Sequence, residues 1–94
     1  MSYVAAMNVQ LQDDVPQAER ERMLRELILP RLRALPGFRN ARFLRSLDGT
    51  TGLAAVMFDT EGNAKAGLDA MTTDRPPGAP PIVATALYEV VLES

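Results

Sequence analysis

Several residue types that carry chemistry in other proteins are missing from this 94-residue chain. The chain has no cysteine, which excludes disulfides, thiolate metal sites and cysteine nucleophiles. It has no histidine, which removes the commonest metal ligand and the commonest general base near neutral pH. Tryptophan is absent too. No nucleophile-elbow sequence, glycine-rich phosphate loop or carboxylate cluster occurs, so we expect no metal and no cofactor from sequence motifs.

Targeting and membrane-spanning segments are not indicated. The N-terminus has no basic region before its short apolar run, so we expect no signal peptide. No apolar stretch reaches the roughly 18 residues that a membrane span requires, and we expect no membrane partner. With 47% hydrophobic and 23% charged residues, the composition predicts one ordinary domain over residues 1–94, located in the cytoplasm.

Positive charge is concentrated in one part of the chain, although the net charge is −2. Residues 20–45 hold eight arginines against two glutamates, a balance of +6, whereas residues 1–19 carry −3 and residues 46–94 carry −5. This segment is either an anion-binding face or a solvated surface paired with the acidic half. Arg42 and Arg45 are the candidate contacts for an anionic substrate, and solvated strand arginines are the alternative.

Hydrophobic periodicity predicts four strands and two helices in the order βαββαβ. The strands are expected at residues 3–11, 38–47, 53–58 and 82–92, with a turn-rich hairpin connection at residues 48–52. Helices are expected from about residue 14 to 35 and from about residue 60 to 71.

Local signals refine the two helices. Asp14 and Gln17 resemble a capping box at the start of the first helix, and Asp59 or Thr60 is expected to cap the second. Pro30 should kink the first helix or tighten its last turns, because its ring clashes with the preceding turn. On the second helix one face is rich in small residues, which indicates close approach to the sheet; it comprises Ala64, Gly67, Leu68 and Met71.

Both faces of the predicted sheet are apolar, and this pattern points to association. Residues 53–58 form an unbroken apolar run, which is typical of strands covered on both faces. Two helices cover only one face of a four-stranded sheet, and an exposed apolar face is unusual on a monomer. We therefore predict an α+β, ferredoxin-like fold with a four-stranded antiparallel sheet and two helices on one face. The sheets of two copies would pack together as a homodimeric α/β barrel.

The strand order also invites comparison with RNA-recognition domains. Residues 52–58 follow the outline of the octamer on their third strand, and residues 4–9 that of the hexamer on their first. RNA binding there depends on aromatic rings that stack on bases. Ala5, Leu53 and Ala55 occupy the positions of those rings, so we expect no nucleic-acid partner.

A broader resemblance covers nearly the whole chain. Three features carry it: Asn8 in an apolar first strand, the sequence Leu35-Pro36-Gly37-Phe38 before the second strand, and the closing Tyr88-Glu89-Val90-Val91-Leu92. In this order and spacing they resemble the antibiotic-biosynthesis-monooxygenase superfamily. That superfamily consists of dimeric α/β barrels and includes cofactor-free quinone-forming oxygenases and haem-degrading enzymes. The haem-ligating histidine of the second group has no counterpart here.

The resemblance implies a cofactor-independent monooxygenase acting on a small aromatic or quinol-like molecule, in an apolar pocket between sheet and helices. Asn8, matching a first-strand pocket asparagine of the haem-degrading branch, is the candidate catalytic amide; its alternative is a buried amide satisfied by the backbone. The candidate substrate contacts are Phe58, Tyr88 and Arg42. Phe58 stands where the family has a tryptophan. The alternative function is a non-catalytic ligand-binding or structural homodimer. An open cavity of roughly 300 Å³ or more favours the enzyme.

Overall fold

The structure is a computed structural model that describes residues 1–94. Four strands and two helical regions follow one another in the expected order βαββαβ. The strands are β1 (Tyr3–Gln10), β2 (Phe38–Arg45), β3 (Thr51–Phe58) and β4 (Ile82–Glu89). The helices are α1 (Gln17–Met23), a π-helical turn (Leu24–Ile28), α2 (Leu29–Arg33) and α3 (Glu61–Thr73). No helix is both long enough and apolar enough to cross a membrane.

The strands form one antiparallel sheet in the order β2-β3-β1-β4. Its central strands β1 and β3 pair over their full length, from Tyr3 opposite Phe58 to Gln10 opposite Thr51. Side chains from one face of these strands pack with both helical regions in a single core; its buried members are Ala5, Leu32, Ala54, Val56, Phe58, Ala64 and Met71. The ferredoxin-like βαββαβ prediction is confirmed.

The second face of the sheet carries no helix. Because side chains alternate along a strand, residues between the core positions lie on this side. We call it the open face, and it comprises Val4, Ala6, Asn8, Asn40, Arg42, Leu44, Leu53, Ala55, Met57, Ala84, Ala86 and Tyr88. Most of these side chains are apolar, as the sequence predicted. Leu44 and Tyr88 are 50% and 59% exposed, so the single chain leaves large apolar groups in water.

Residues 17–33 form one continuous helical segment, which we call the long helix. Its middle is a π-helical turn just before Pro30, and the Leu29 N–H donates to the Leu24 carbonyl five residues back. Proline cannot donate to the preceding turn, and a π turn relieves that position by widening the helix. The expected tightening of the last turns is confirmed, because the Leu35 N–H donates to the Leu32 carbonyl three residues back at 3.0 Å. The π turn before Pro30 was not predicted.

Two further details differ from the sequence expectations. The Asp14–Gln17 capping box does not form; Pro16 is the N-cap of α1 and no side chain caps it. The last strand ends at Glu89 rather than at residue 92. The Val90 N–H still donates to the Ser2 carbonyl at 2.8 Å, but pairing with β1 stops there because β1 itself begins at Tyr3.

Helix α3 follows the sequence closely. Thr60 is its N-cap, and the Thr60 hydroxyl accepts a hydrogen bond from the Asn63 N–H at 3.1 Å. Ala64, Gly67 and Met71 are buried against the sheet. A Cβ atom at Gly67 would lie 2.2 Å from Cζ of Phe58, far inside van der Waals contact. The predicted close approach through small residues is confirmed, and only glycine fits at this position.

Candidate functional site

An open cavity of about 560 Å³ lies between the sheet and the long helix. Strands β1, β2 and β3 form its floor, the long helix one wall, and the end of α3 with the loop that follows it another. Its interior is apolar, with walls from Met7, Val9, Leu11, Met23, Leu24, Ile28, Leu32, Leu35, Phe43, Ala54 and Met71. Pockets that bury small molecules have this size and this apolar lining.

The cavity exists because the long helix does not pack down on the sheet. Neither α1 nor the π turn has a buried residue, and Leu32 of α2 is the one buried side chain of the long helix. Ala54 and Gly52 supply little or no side chain beneath it. Protein interiors are normally filled to crystal-like density, so this unfilled apolar volume is a feature that a ligand suits.

The charged residues of the cavity lining, which we call its mouth, are mostly positive. They are four arginines, Arg20, Arg31, Arg45 and Arg75, with Glu21 and Asp74, a balance of +2 in a chain whose net charge is −2. Arg31 is paired with Asp74 at 3.6 Å.

The other charged groups of the mouth differ in their partners. Arg20 donates to the Gln12 carbonyl, and the Glu21 carboxylate accepts from the Gln17 amide at 3.2 Å. Arg45 and Arg75 have no carboxylate partner within 4.0 Å. Two unpaired guanidinium groups therefore border an apolar cavity.

Asn8 lies on the open face, opposite Leu53 of β3 and Ala84 of β4, and its side chain is exposed. The structure does not bring Asn8 into the cavity, because its neighbours Met7 and Val9 take the helix side of β1. Its catalytic role stays a prediction, but a pocket that uses it would have to form on the open face.

The other three predicted site residues are also placed apart from the cavity. Phe58 is fully buried beneath Gly67 and fills the core at the opposite end of the sheet. Tyr88 is largely exposed on the edge strand β4, where it borders a small second cavity of about 90 Å³ with Tyr3 and Lys65. Arg42 is exposed on the open face. Their roles as substrate contacts stay predictions.

The family resemblance implied a pocket between sheet and helices, but the spacing of the residues that line it predicts an ordinary core. Met7, Leu24, Ile28, Leu32 and Phe43 have the spacing of buried residues, and nothing in that spacing distinguishes a packed core from a cavity lining. Arg45 was available from the sequence, since it shares a strand face with Phe43. Arg75 was not, because its place at the mouth depends on the path of the loop after α3.

The donors in the cavity do not fit haem. Haem iron in proteins is held by histidine, cysteinate, tyrosinate or a methionine–histidine pair. The chain has no histidine or cysteine, neither tyrosine lines the cavity, and its only soft donors there are the thioethers of Met7, Met23 and Met71. Acidic side chains do not gather in a group that could hold a metal ion.

The known proteins that resemble this chain are found by structure and not by sequence. No protein-family model matches the chain, and no curated protein does. Among solved structures, the haem-degrading protein Rv3592 of Mycobacterium tuberculosis, in a haem-free form, superposes with a TM-score of 0.63 at 16% identity, over 100% of this chain and 99% of that one.

Two further structures are similar. The monooxygenase ActVA-Orf6 of Streptomyces coelicolor, solved with nanaomycin D, gives a TM-score of 0.63 at 16% identity over 99% of this chain and 93% of that one. Rv0793 of M. tuberculosis gives 0.60 at 16% identity over 100% and 99%. At this identity the likeness shows the fold alone. The expected fold is thus confirmed, since a haem-degrading protein and a monooxygenase share it.

Proposed function

We propose that this protein binds a small aromatic or quinol-like molecule in the sheet–helix cavity and oxygenates it without a cofactor. The observation that carries the proposal is the open apolar cavity of about 560 Å³, well above the roughly 300 Å³ expected of a ligand site. It occurs in a fold shared with a monooxygenase that was solved with nanaomycin D bound.

The chemistry proposed is limited by what the walls provide. They contain no imidazole or thiolate, and the two carboxylates at the mouth already accept hydrogen bonds or pair with an arginine. The cavity therefore favours a substrate that supplies its own acidic hydroxyl, such as a hydroxynaphthalene. Positive charge at the mouth would stabilise the phenolate over the phenol.

In such a reaction the phenolate delivers electrons from its para carbon to dioxygen, forming a carbon–oxygen bond. The outer oxygen of this peroxide takes back the proton that the hydroxyl had lost. The O–O bond then breaks, and the para hydrogen and the outer OH leave as water, which gives the quinone. For 1,5-dihydroxynaphthalene the balance is one substrate and one dioxygen in, one hydroxynaphthoquinone and one water out. The protein would hold the ring, exclude water and favour the ionised state.

Oxygen uptake tests the proposal. Purified protein with 1,5-dihydroxynaphthalene should consume oxygen faster than buffer alone and form the quinone in equal amount. Ala70→Leu, which adds volume at the cavity wall, should lower this rate about tenfold or more by displacing the ring. Ala66→Leu, on an exposed position of the same helix, is the matched control and should leave it unchanged. An uncatalysed rate with every hydroxyarene tried would contradict the enzyme.

A second candidate function has its own support. The cavity walls offer no free base to accept the substrate's proton, and Asn8, the candidate catalytic amide, lies on the other face of the sheet. These two observations suit a protein that binds a ligand without transforming it. Saturable binding of a hydroxynaphthalene with no oxygen uptake would establish this alternative.

We also propose that the active form is a homodimer joined through the open face. Its apolar side chains form a surface of a kind that soluble monomers rarely expose beyond a few hundred Å². Asn8 would then lie within the interface, where its amide requires hydrogen-bond partners. Asn8→Ala should accordingly weaken dimer association. A catalytic role of Asn8 would also lower oxygen uptake at protein concentrations where the variant is still dimeric.

Sedimentation equilibrium at micromolar concentration should give about twice the 10.3 kDa of one chain. Met57→Glu places a charge on the open face and should shift the protein towards monomer. Leu47→Glu is the matched control, because Leu47 is fully exposed in the β2–β3 connection and should not affect the mass. A wild type that remains at 10.3 kDa would end the dimer proposal.

A further inference from the structure

The two unpaired arginines at the cavity mouth are held in different ways. Arg45 is the last residue of β2 and lies on the same strand side as Phe43, which lines the cavity. Arg75 is half-buried in the loop after α3, and Pro76 and Pro77 follow it directly. Proline restricts the backbone, so the loop loses little further freedom when Arg75 contacts a ligand.

Neither guanidinium has a partner that explains its position. The mouth's other cations are engaged, Arg31 with Asp74 and Arg20 with the Gln12 carbonyl. Arg45 is exposed and Arg75 is half-buried, and both border apolar walls. An anion held against those walls interacts with the two charges more strongly than it would in bulk water. The planar guanidinium presents paired donors that match the oxygens of a carboxylate or sulfonate.

We propose that the cavity's ligand is an aromatic anion, whose ring lies among the apolar walls and whose anionic group binds Arg45 and Arg75. This inference rests on the proposed function and narrows its substrate class to hydroxyarenes that carry a carboxylate or a similar fixed negative charge. Neutral hydroxyarenes enter the same walls but lack the contact with the two arginines.

A matched pair of fluorescent probes tests the charge requirement without any reaction. The anion 8-anilinonaphthalene-1-sulfonate and the neutral N-phenyl-1-naphthylamine differ by the sulfonate alone. Titration of the wild type should show the anion bound about tenfold more tightly than the neutral probe, since charged hydrogen bonds are stronger than neutral ones. The difference should shrink as salt is raised, because the mouth is open to solvent.

Single and double variants show whether Arg45 and Arg75 cause the preference for the anionic probe. Arg45→Met and Arg75→Met should each weaken binding of the anion by about threefold to tenfold and leave the neutral probe unchanged. Arg45→Lys should restore part of the loss. Arg33→Met is the matched control, since Arg33 is exposed on α2 and does not line the cavity. Thermal unfolding of each variant verifies that it is folded.

The outcomes are separable from those of the oxygen-uptake test. Anion selectivity that disappears in the Arg45 and Arg75 variants supports the inference even if no oxygen is consumed, in which case only the catalytic proposal fails. Equal affinities for the two probes, or anion binding that the double variant retains, would overturn the inference even if oxygen uptake is observed with neutral substrates. Loss of anion binding in Arg33→Met as large as in Arg45→Met would also overturn it, because it would show a general charge effect.

Discussion

The two helical regions cover the same sheet face in opposite ways. Helix α3 packs down on β1, β3 and β4 through Ala64, Gly67 and Met71, and leaves no space for a Cβ at Gly67. The long helix touches the sheet mainly where α2 meets β2, and a cavity of about 560 Å³ separates the rest of it from the sheet. One half of the core is therefore filled and the other half is hollow.

The difference follows from side-chain size on both partners. Under α3, glycine and alanine on the helix meet large side chains from the sheet such as Phe58. Under the long helix, Leu24 and Ile28 line the cavity from the helix side, while the floor has only Ala54 and Gly52. Complementary sizes let two layers interdigitate, whereas mismatched sizes leave a void. The filled half stabilises the fold, and the hollow half is where a ligand can bind.

The largest effect is expected in the filled half. Gly67→Ala should lower the free energy of unfolding by about 1–3 kcal/mol, since its methyl group overlaps the Phe58 ring and overpacking forces both to move. Alanine ordinarily favours a helix over glycine by about 1 kcal/mol, so the sign itself is informative. Gly62→Ala in the same helix is the control, because no atom lies within 4 Å of its added Cβ.

Chemical denaturation of the two variants measures this difference. Gly62→Ala should be neutral or stabilising by a few tenths of a kcal/mol, as expected for a position in the first helical turn. If both substitutions had the same effect on stability, the close packing of α3 on Phe58 would be contradicted.

A second pair of variants, both on helix α3, compares how tightly the two halves of the core are packed. Ala64 is buried in the filled half, whereas Ala70 is half-buried at the cavity wall. Ala64→Leu should destabilise by about 1–3 kcal/mol through overpacking. Ala70→Leu should change the free energy of unfolding by less than about 0.5 kcal/mol, because its side chain enters open volume. Equal losses in urea unfolding would show that the hollow half is as tightly packed as the other.

How far the sequence predicts the molecule differs between the same two halves. Periodicity placed the four strands, and the small residues at Ala64 and Gly67 correctly indicated close helix packing. The cavity between sheet and helix was expected only from the family resemblance, because a lining leucine and a core leucine have the same spacing in the sequence. Its existence depends on how far the long helix stands from the sheet, which is a tertiary property.

The candidate site shows the same division. Alternation along β1 put Asn8 on the face opposite to Met7 and Val9 in the sequence as in the structure. The resemblance to a family asparagine nevertheless associated Asn8 with the pocket, and the register of this chain places it on the open face. Pro30 correctly indicated tighter last turns in the long helix, but the π turn before it depends on local hydrogen bonds that the sequence leaves open.

The smallest effect is expected at the hairpin between β2 and β3, beyond the hollow half. Hydrogen bonds from the Ser46 hydroxyl and from the backbone and hydroxyl of Thr50 lower the pKa of Asp48 from 3.8 to about 2. These bonds favour the carboxylate in the folded state, so its contribution is present above about pH 4 and is lost as the pH falls through about 2.

Asp48→Asn should therefore lower the Tm slightly at pH 6, and the difference from the wild type should shrink between pH 4 and pH 2. Thermal unfolding at a series of pH values measures it. A Tm difference that is the same at pH 6 and pH 2 would show that the turn does not depend on the charge of Asp48.

The methionine methyl groups report most directly on whether the hollow half is a ligand cavity. Met7, Met23 and Met71 line the cavity, whereas Met57 lies on the open face. Protein labelled with ¹³C at the methionine methyl groups can be titrated with 1,5-dihydroxynaphthalene without oxygen, and its ¹H–¹³C spectrum recorded. We expect saturable shifts of Met7, Met23 and Met71 with Met57 unmoved. Shifts confined to Met57, or no saturable shift of the three cavity methionines, would contradict the account.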